Sequence, residues 1–473
     1  MRVVFLQDSG INESLAITDL SAVLRAAGHE TKLFLEDEEP DLDADLRAYD
    51  PGLAIIPCPI AGEQWPVEAA RRVKRLLPRC VVLLGGTHVT FAPEVALDPA
   101  VDAVCVGEAE GAAVDLADRI AAGRDWDDVA NLAFARDGAL VRNPLRAHVK
   151  DLDALPFPDR ELYYRYKFIA RFPWKKFTTG RGCMHSCTFC WNSTLREMYL
   201  PHGVDFVRRK SPERIVQEIE LVKARWPTKR IHFSDDIFTF RPSWLEAFAP
   251  LYRERVGVPF TCNSSVELVN ERVVDALRDA GCKGVAIGVE TGNEELRSRI
   301  LNKRVTNDDI RRAAALVKSR GLELTTFNML ASPCETLEDA LSTLRLNREI
   351  GADFTRVKLA VPIPHTRFAD RAAEAGEYDG GVGNLAKPRV VFKKSESRQF
   401  LNLFYLFPLG VRIPGAERVI RRLLPFRLPV APLGVLGPIE ERRIYDLPWV
   451  AGFRYFRHVG NPMKRTANYV TLI

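Results

Sequence analysis

Arg181-Gly182-Cys183-Met184-His185-Ser186-Cys187-Thr188-Phe189-Cys190-Trp191-Asn192 sets three cysteines in a CxxxCxxC spacing. An iron–sulfur cluster normally takes four cysteine thiolates. Three can hold three irons of a four-iron cluster and leave the fourth iron without a protein ligand. Such a vacant position is where a substrate or cofactor can be activated. The competing reading is a zinc site, which needs four ligands, and only His185 stands nearby as a fourth.

Working outward, residues 176–179 read as a strand that runs into the cysteine loop. Further apolar strands are expected at 231–233, 260–263, 284–289, 323–329 and 356–361, with helices at 212–225, 270–280, 307–320 and 336–350 between them. Six βα units predict a partial (β/α)6 TIM-type barrel with its site at the C-terminal mouth. Ahead of it, short apolar runs at 3–6, 31–35, 53–57, 80–84 and 103–106 alternate with helical stretches such as 14–27 and 63–77. Continuous apolar runs suit strands buried on both faces of a parallel sheet. The expectation is a doubly wound Rossmann-like α/β domain with ligand at the carboxyl ends of its strands. Two loops fall there, Gly85-Gly86-Thr87-His88-Val89-Thr90 and Gly107-Glu108-Ala109-Glu110-Gly111. Paired glycines let a large ligand approach the backbone. The domains are placed at 1–145, 171–372 and 373–473, with a linker at 146–170.

The chain has 473 residues, 47% hydrophobic and 27% charged, the balance of a globular protein. No apolar run long enough to cross a membrane and no secretory signal is read, so a cytoplasmic, reducing location is expected. The six cysteines outside the trio are scattered, which argues against a disulfide framework. From Arg398 onward 12 Arg and Lys face four acids, a net +8; the whole chain carries +5, so residues 1–397 carry −3. The periodicity weakens after about Ala372, and Gly380-Gly381-Val382-Gly383 reads as a linker. Residues 400–409 are apolar and aromatic, and 419–426 set Arg421 and Arg422 beside leucines. The segment is expected to form a mostly helical cap on the barrel mouth, with a basic surface for peripheral contact with an anionic membrane or a lipid-like substrate as the other reading. Nothing reads as a nucleic-acid module.

The N-terminal loops resemble those of the cobalamin-binding domain ahead of many radical enzymes. Its usual text is Gly-Gly-x-His-x-Thr, then Pro-Glu, then Val-Asp-x-x-Val-x-Gly-Glu-x-Glu. Here these are Gly85 to Thr90, Pro93-Glu94, and Val101 to Glu110 with Cys105 replacing the second valine. The resemblance implies that Gly85, Gly86, Thr87, His88, Gly107 and Glu108 bind cobalamin. The Asp-x-His-x-x-Gly motif that supplies a lower-axial histidine in methionine-synthase-like proteins is absent, so no histidine from it is expected on the cobalt. A plain flavodoxin-like domain without cofactor is the alternative.

Residues 171–372 resemble the radical S-adenosylmethionine superfamily. Cys183, Cys187 and Cys190 match its cluster loop, and Phe189 the aromatic before the last cysteine. The resemblance implies a 4Fe-4S cluster whose open iron is chelated by the amino and carboxylate groups of S-adenosylmethionine. One electron then releases a 5′-deoxyadenosyl radical in a site closed to water. Acceptors for the cofactor's ammonium are placed at the end of the second strand, Ser234-Asp235-Asp236, with Asp235 the first choice and Asp236 free to face the substrate. Glu290 contacts the cofactor, and Lys303 or Arg304 pairs with its carboxylate. Two departures stand out. Ala331-Ser332-Pro333-Cys334-Glu335 replaces Gly-Leu-Pro-Gly-Glu, where small Ala and Ser still allow the adenine-side backbone contact. His365 replaces the glycine of Pro-x-Pro-Gly-Thr, at the barrel mouth, where a histidine can serve as an acid–base or substrate residue or only as part of the loop.

The two domains together resemble the cobalamin-dependent radical S-adenosylmethionine enzymes, which include the anaerobic magnesium-protoporphyrin ester cyclase and many methyltransferases. That implies methylation of an unactivated carbon, or of phosphorus, on a small or lipophilic metabolite. Cys183, Cys187, Cys190 and Asp235 would stand at the catalytic centre, with an external electron donor such as flavodoxin or ferredoxin. Cyclisation, oxidation or rearrangement without net methylation is the competing enzyme reading, and a non-catalytic cobalamin or redox sensor the other.

Overall fold

Alternating β and α stretches become two parallel sheets. The computed structural model describes residues 1–10, 13–60, 62–203, 205–378 and 389–428. The first sheet runs β1 (Arg2–Gln7), β2 (Glu30–Leu35), β3 (Leu53–Pro57), β4 (Val81–Gly85), β5 (Ala103–Cys105), β6 (Leu132–Arg136) and β7 (Ala139–Arg142), in spatial order 2-1-3-4-5-6-7. The first five strands are parallel. β6 and β7 add an antiparallel edge that the sequence reading did not include. β1 places Val3 to Leu6 out of solvent on both faces because helices cover each side. The order reverses between β1 and β3, which opens the crevice where ligands of such sheets sit.

The second sheet begins with β8 (Trp174–Phe177). Next come β9 (Gly180–Arg181) and β10 (Arg208–Arg209), which pair with each other in a small antiparallel ribbon. The large sheet continues with β11 (Arg230–Phe233), β12 (Phe260–Ser264), β13 (Cys282–Glu290), β14 (Glu323–Leu330) and β15 (Phe354–Leu359). Its order is consecutive, 8-11-12-13-14-15, and every pair is parallel. It curls into an open half-barrel. The connecting helices Pro212–Arg225, Pro242–Arg255, Glu271–Asp279, Asn307–Ser319 and Leu337–Glu349 bury one apolar face each. Two of them start with a capping box, Thr306 with Asp309 and Thr336 with Asp339, which satisfies two orphan N–H groups at each start.

The C-terminal helix differs from expectation in place rather than kind. Ser397–Arg412 packs Phe400, Leu403 and Phe407 against Leu341 and Leu344 of helix Leu337–Glu349 and Leu359 of β15. It covers the outer flank of the last strand, the position of a sixth barrel helix, and not the mouth. The apolar outer face of β15 would otherwise meet water. The expected linker at Gly380 to Gly383, and the cap beyond residue 428, lie outside the described residues. Among the described residues no helix is long and apolar enough to cross a membrane.

Candidate active site

The cysteine loop hangs between β9 and helix Trp191–Tyr199. Gly182, at φ +87, is required because a Cβ would collide with the Phe206 carbonyl. The loop is fastened on its far side. Thr188 N–H donates to the Leu301 carbonyl at 3.0 Å, and Asn302 Nδ2 donates to the Ser186 carbonyl at 2.8 Å. Ser193 Oγ donates to the carbonyls of Cys187 (3.0 Å) and Cys190 (2.8 Å), and Arg196 to that of Met184 (2.8 Å). Phe189 packs among Leu296, Leu301 and Phe368. Backbone and aromatic are thus spent on holding the loop, and the three thiols are left half-buried and unbridged.

Burial pushes the Cys183 and Cys187 thiols up to about 11, and drives Cys190 higher still; Cys183 also raises Cys187, and both raise Cys190. Three sulfur donors that feel each other in a part-dry recess suit a thiolate-bound metal cluster, whose charge reverses such a shift. No three His, Cys, Asp or Glu among the described residues converge as ligands of a single metal ion. Thiols that each hold a different iron of a cluster need not converge on one point.

The two aspartates after β11 divide otherwise than expected. Asp235 is turned inward and 3% exposed. Both its oxygens accept from Thr179 N–H at 3.0 Å, and the Thr179 hydroxyl and Arg209 stand beside it. It ties the end of β11 to the end of β8. Asp236 is exposed at the mouth, walled by protein, and its charge reaches Cys183 and Cys190. Desolvation pushes its carboxyl up to about 6; a hydrogen bond from Asn192 opposes this and Asp235 adds to it. The first choice for an ammonium acceptor was Asp235, but the carboxylate that faces the thiols is Asp236. Ser234 is half-buried, with its N–H on the Phe177 carbonyl.

Glu290 ends β13 in a left-handed turn, φ +63, and accepts from Lys303 Nζ at 3.1 Å. Gly288 lies under the pair, where a Cβ would strike both side chains. Burial works to lower the Lys303 pKa, but Glu290 and the Cys187 thiol outweigh it and raise it. Lys303 therefore keeps its charge beside the cluster loop, whereas Arg304 points into solvent. Ala331, Cys334 and His365 stand at φ +62, +61 and +61. The backbone keeps glycine's conformation at all three positions where the resemblance expects glycine. His365 is exposed.

On the first sheet, Gly85 and Gly86 form the turn after β4. A Cβ on Gly85 would meet nothing within 4 Å, whereas one on Gly86, at φ +114, would stand 2.9 Å from the Cys58 carbonyl. Gly85 thus borders open space and Gly86 makes the close turn. Thr87 begins the helix Thr87–Phe91. His88 turns toward Glu63, 3.7 Å away, and burial lowers its pKa. Thr90 ties this turn to the next, accepting from Gly107 N–H at 3.1 Å and donating to the Gly86 carbonyl at 2.9 Å.

Glu108 is held by protein groups. Its carboxylate accepts from both Arg208 nitrogens (2.5 and 3.1 Å) and from Val149 N–H (3.1 Å), with Arg181 at 3.5 Å. Burial works to raise its pKa, but Arg208 and Arg181 hold it below the usual carboxylate range. Arg181 also reaches Glu110 (2.6 Å) and Asp19 (3.0 Å), and the Tyr199 hydroxyl accepts from Glu108 N–H at 2.9 Å. The structure engages the Glu108 carboxylate in a clamp between the two sheets. Arg181, Tyr199 and Arg208 were missed by sequence reasoning. The one local signal was Arg181 standing two residues before Cys183.

Comparisons with known proteins match two family models to separate parts of the chain. The family model for the B12 binding domain matches residues 1–117, and that for the radical SAM superfamily matches 177–346. An uncharacterised methyltransferase of Pyrococcus horikoshii is 27% identical over 336 residues, 70% of this chain and 72% of that protein. The anaerobic magnesium-protoporphyrin IX monomethyl ester cyclase of Rubrivivax gelatinosus is 27% identical over 379 residues, 76% of this chain and 65% of that one. Among solved structures, the radical S-adenosylmethionine methyltransferase TsrM of Kitasatospora setae, with cobalamin and a [4Fe-4S] cluster bound, superposes with a TM-score of 0.65 at 19% identity. The match covers 79% of this chain and 78% of that one, and at that identity it speaks for the fold.

Proposed function

Since the chain belongs to the cobalamin-dependent radical S-adenosylmethionine enzymes, we propose that it methylates an unactivated carbon, or a phosphorus, of a small or lipophilic metabolite. The 4Fe-4S cluster with S-adenosylmethionine supplies hydrogen-atom abstraction, and cobalamin supplies methyl-group transfer. A nucleophilic acceptor would need no hydrogen abstraction. A chain that carries both machineries has use for both where the acceptor atom is inert.

The residues take these parts. Cys183, Cys187 and Cys190 hold the cluster. Asp236 accepts hydrogen bonds from the cofactor's ammonium, a charge-assisted contact in a part-dry recess, and Asp235 fixes the strand end behind it. Lys303 pairs with the cofactor carboxylate, steadied by Glu290. Gly85 and Gly86 admit the corrin against the backbone. The observation that carries the reading is the clamp: Arg181, in the arm of the cysteine loop, binds Glu110, in the arm of the Gly107 turn. Both cofactor-bearing loops are thereby held at one interface, as group transfer between them requires.

The test is anaerobically reconstituted protein given S-adenosylmethionine with an isotopically labelled methyl group and a metabolite extract. Label is expected in product only when cobalamin is present. Equal product without cobalamin would remove the methyl-transfer part. Similarity to the Rubrivivax cyclase favours cyclisation without net methylation as a second reading; it would give unlabelled product with 5′-deoxyadenosine formed.

A further inference from the structure

We propose that the outer face of helix Ala416–Leu423 docks the protein onto an anionic lipid bilayer. The helix is apolar on two sides. Its inner side needs no further partner: Ile420 and the following Leu424 are 4% and 1% exposed in the core around helix Ser397–Arg412. Arg421 is anchored to Glu338 and Glu417. The outer side carries Val419, Leu423 and, just past the helix, Phe426, at 57%, 37% and 64% exposure, with Ile413 beside its start at 51%. Val419 and Leu423, at i and i+4, share one helix face, and Phe426 follows in the turn just beyond it. Of eight large hydrophobics exposed among the described residues, four fall between 413 and 426. Such clustering marks an interaction surface, whereas scattered single residues need no explanation.

The rim of the stripe identifies the partner. Arg418, Arg422 and Arg427 are exposed and make no ion pair among the described residues. Their only acidic neighbour on the helix, Glu417, is taken by Arg345 and Arg421. An apolar stripe bordered by uncompensated guanidinium groups is complementary to a surface that is anionic above and apolar beneath. It matches the boundary between lipid headgroups and acyl chains. There the apolar residues enter the boundary while arginine stems lie along it and their heads meet phosphates. Residues 398–428 hold six arginines and one acid, a net +5, which favours an anionic partner.

The experiment is flotation of the full chain with vesicles of phosphatidylcholine alone, or of phosphatidylcholine mixed with phosphatidylglycerol. With three arginines at the surface, binding to the anionic vesicles is expected on the order of a hundredfold tighter, and to weaken with salt. Arg418→Glu with Arg422→Glu should abolish the difference. Leu423→Ser with Phe426→Ser should weaken binding to anionic vesicles. Leu221→Ser, an exposed leucine elsewhere (51%), should change nothing. Each variant is checked by thermal melting, and unchanged melting is expected because the replaced side chains are exposed. Equal binding to both vesicle types, or patch variants that bind as well as the parent, would overturn the proposal. So would a self-association of the free protein that Leu423→Ser abolishes while no vesicle is bound.

Discussion

Glu108 shows how one side chain can fasten the loops of two domains together. It is the carboxylate partner of the buried Arg208, which has no other among the described residues, so removing its charge leaves that guanidinium buried and unbalanced. Breaking a buried pair from one side costs more than replacing the pair. Glu108→Gln is expected to destabilise the protein by about 3 kcal/mol in denaturant titration. Glu108→Gln combined with Arg208→Met should cost clearly less than the two single changes added together. Gly85 makes a separate case. Because its Cβ position is open, Gly85→Val should melt like the parent yet retain little corrinoid, read from the visible absorbance of purified protein. Gly86→Ala, blocked by the Cys58 carbonyl, should lower the melting temperature as well. At this scale the sequence was readable where the chemistry is local. The cysteine trio and the double glycine are short spacings, and spacing survives folding. Asp235 and Asp236 were not separable, because neighbours at a strand end face opposite ways and nothing local says which way is in.

At the scale of elements, the ends of β13, β14 and β15 share one device. Glu290, Ala331 and the His365 turn each put a residue with a side chain into left-handed backbone, which costs about 1 kcal/mol or more apiece. The positions adjoin the mouth, where tight turns bring backbone groups to a ligand. Ala331→Gly and His365→Gly are each expected to raise stability by about 0.5–1 kcal/mol, after allowing for glycine's looser unfolded chain. A denaturant midpoint that moves down would contradict this. The sequence could name the residues that replaced glycine. It could not say whether the backbone had kept glycine's shape, since that is set by the strands and helices on either side.

For the molecule as a whole, stability should depend on pH through Glu335. This carboxyl is 3% exposed, with one oxygen on the Ser332 N–H at 2.8 Å and the other without a partner, and burial pushes it up to about 8. Its folded pKa lies above the unfolded value of 4.5. The folded state therefore holds the proton longer, and stability falls as pH rises from about 4.5 to about 8, by at most ~1.4 kcal/mol per unit. Glu335→Gln should flatten that part of the profile in denaturant titrations across this range. The sequence by itself determined the two sheets, the helices between them and the three-thiol loop, because apolar periodicity and close spacing are properties of neighbouring residues. Tertiary structure alone decided that Glu108 clamps two domains, that Asp236 and not Asp235 faces the thiols, and that helix Ser397–Arg412 covers the flank and not the mouth. Each of those depends on partners tens of residues away, such as Arg181 and Arg208 for Glu108 or β15 for the helix. No pattern along the chain records which distant surfaces will meet once apolar faces are buried.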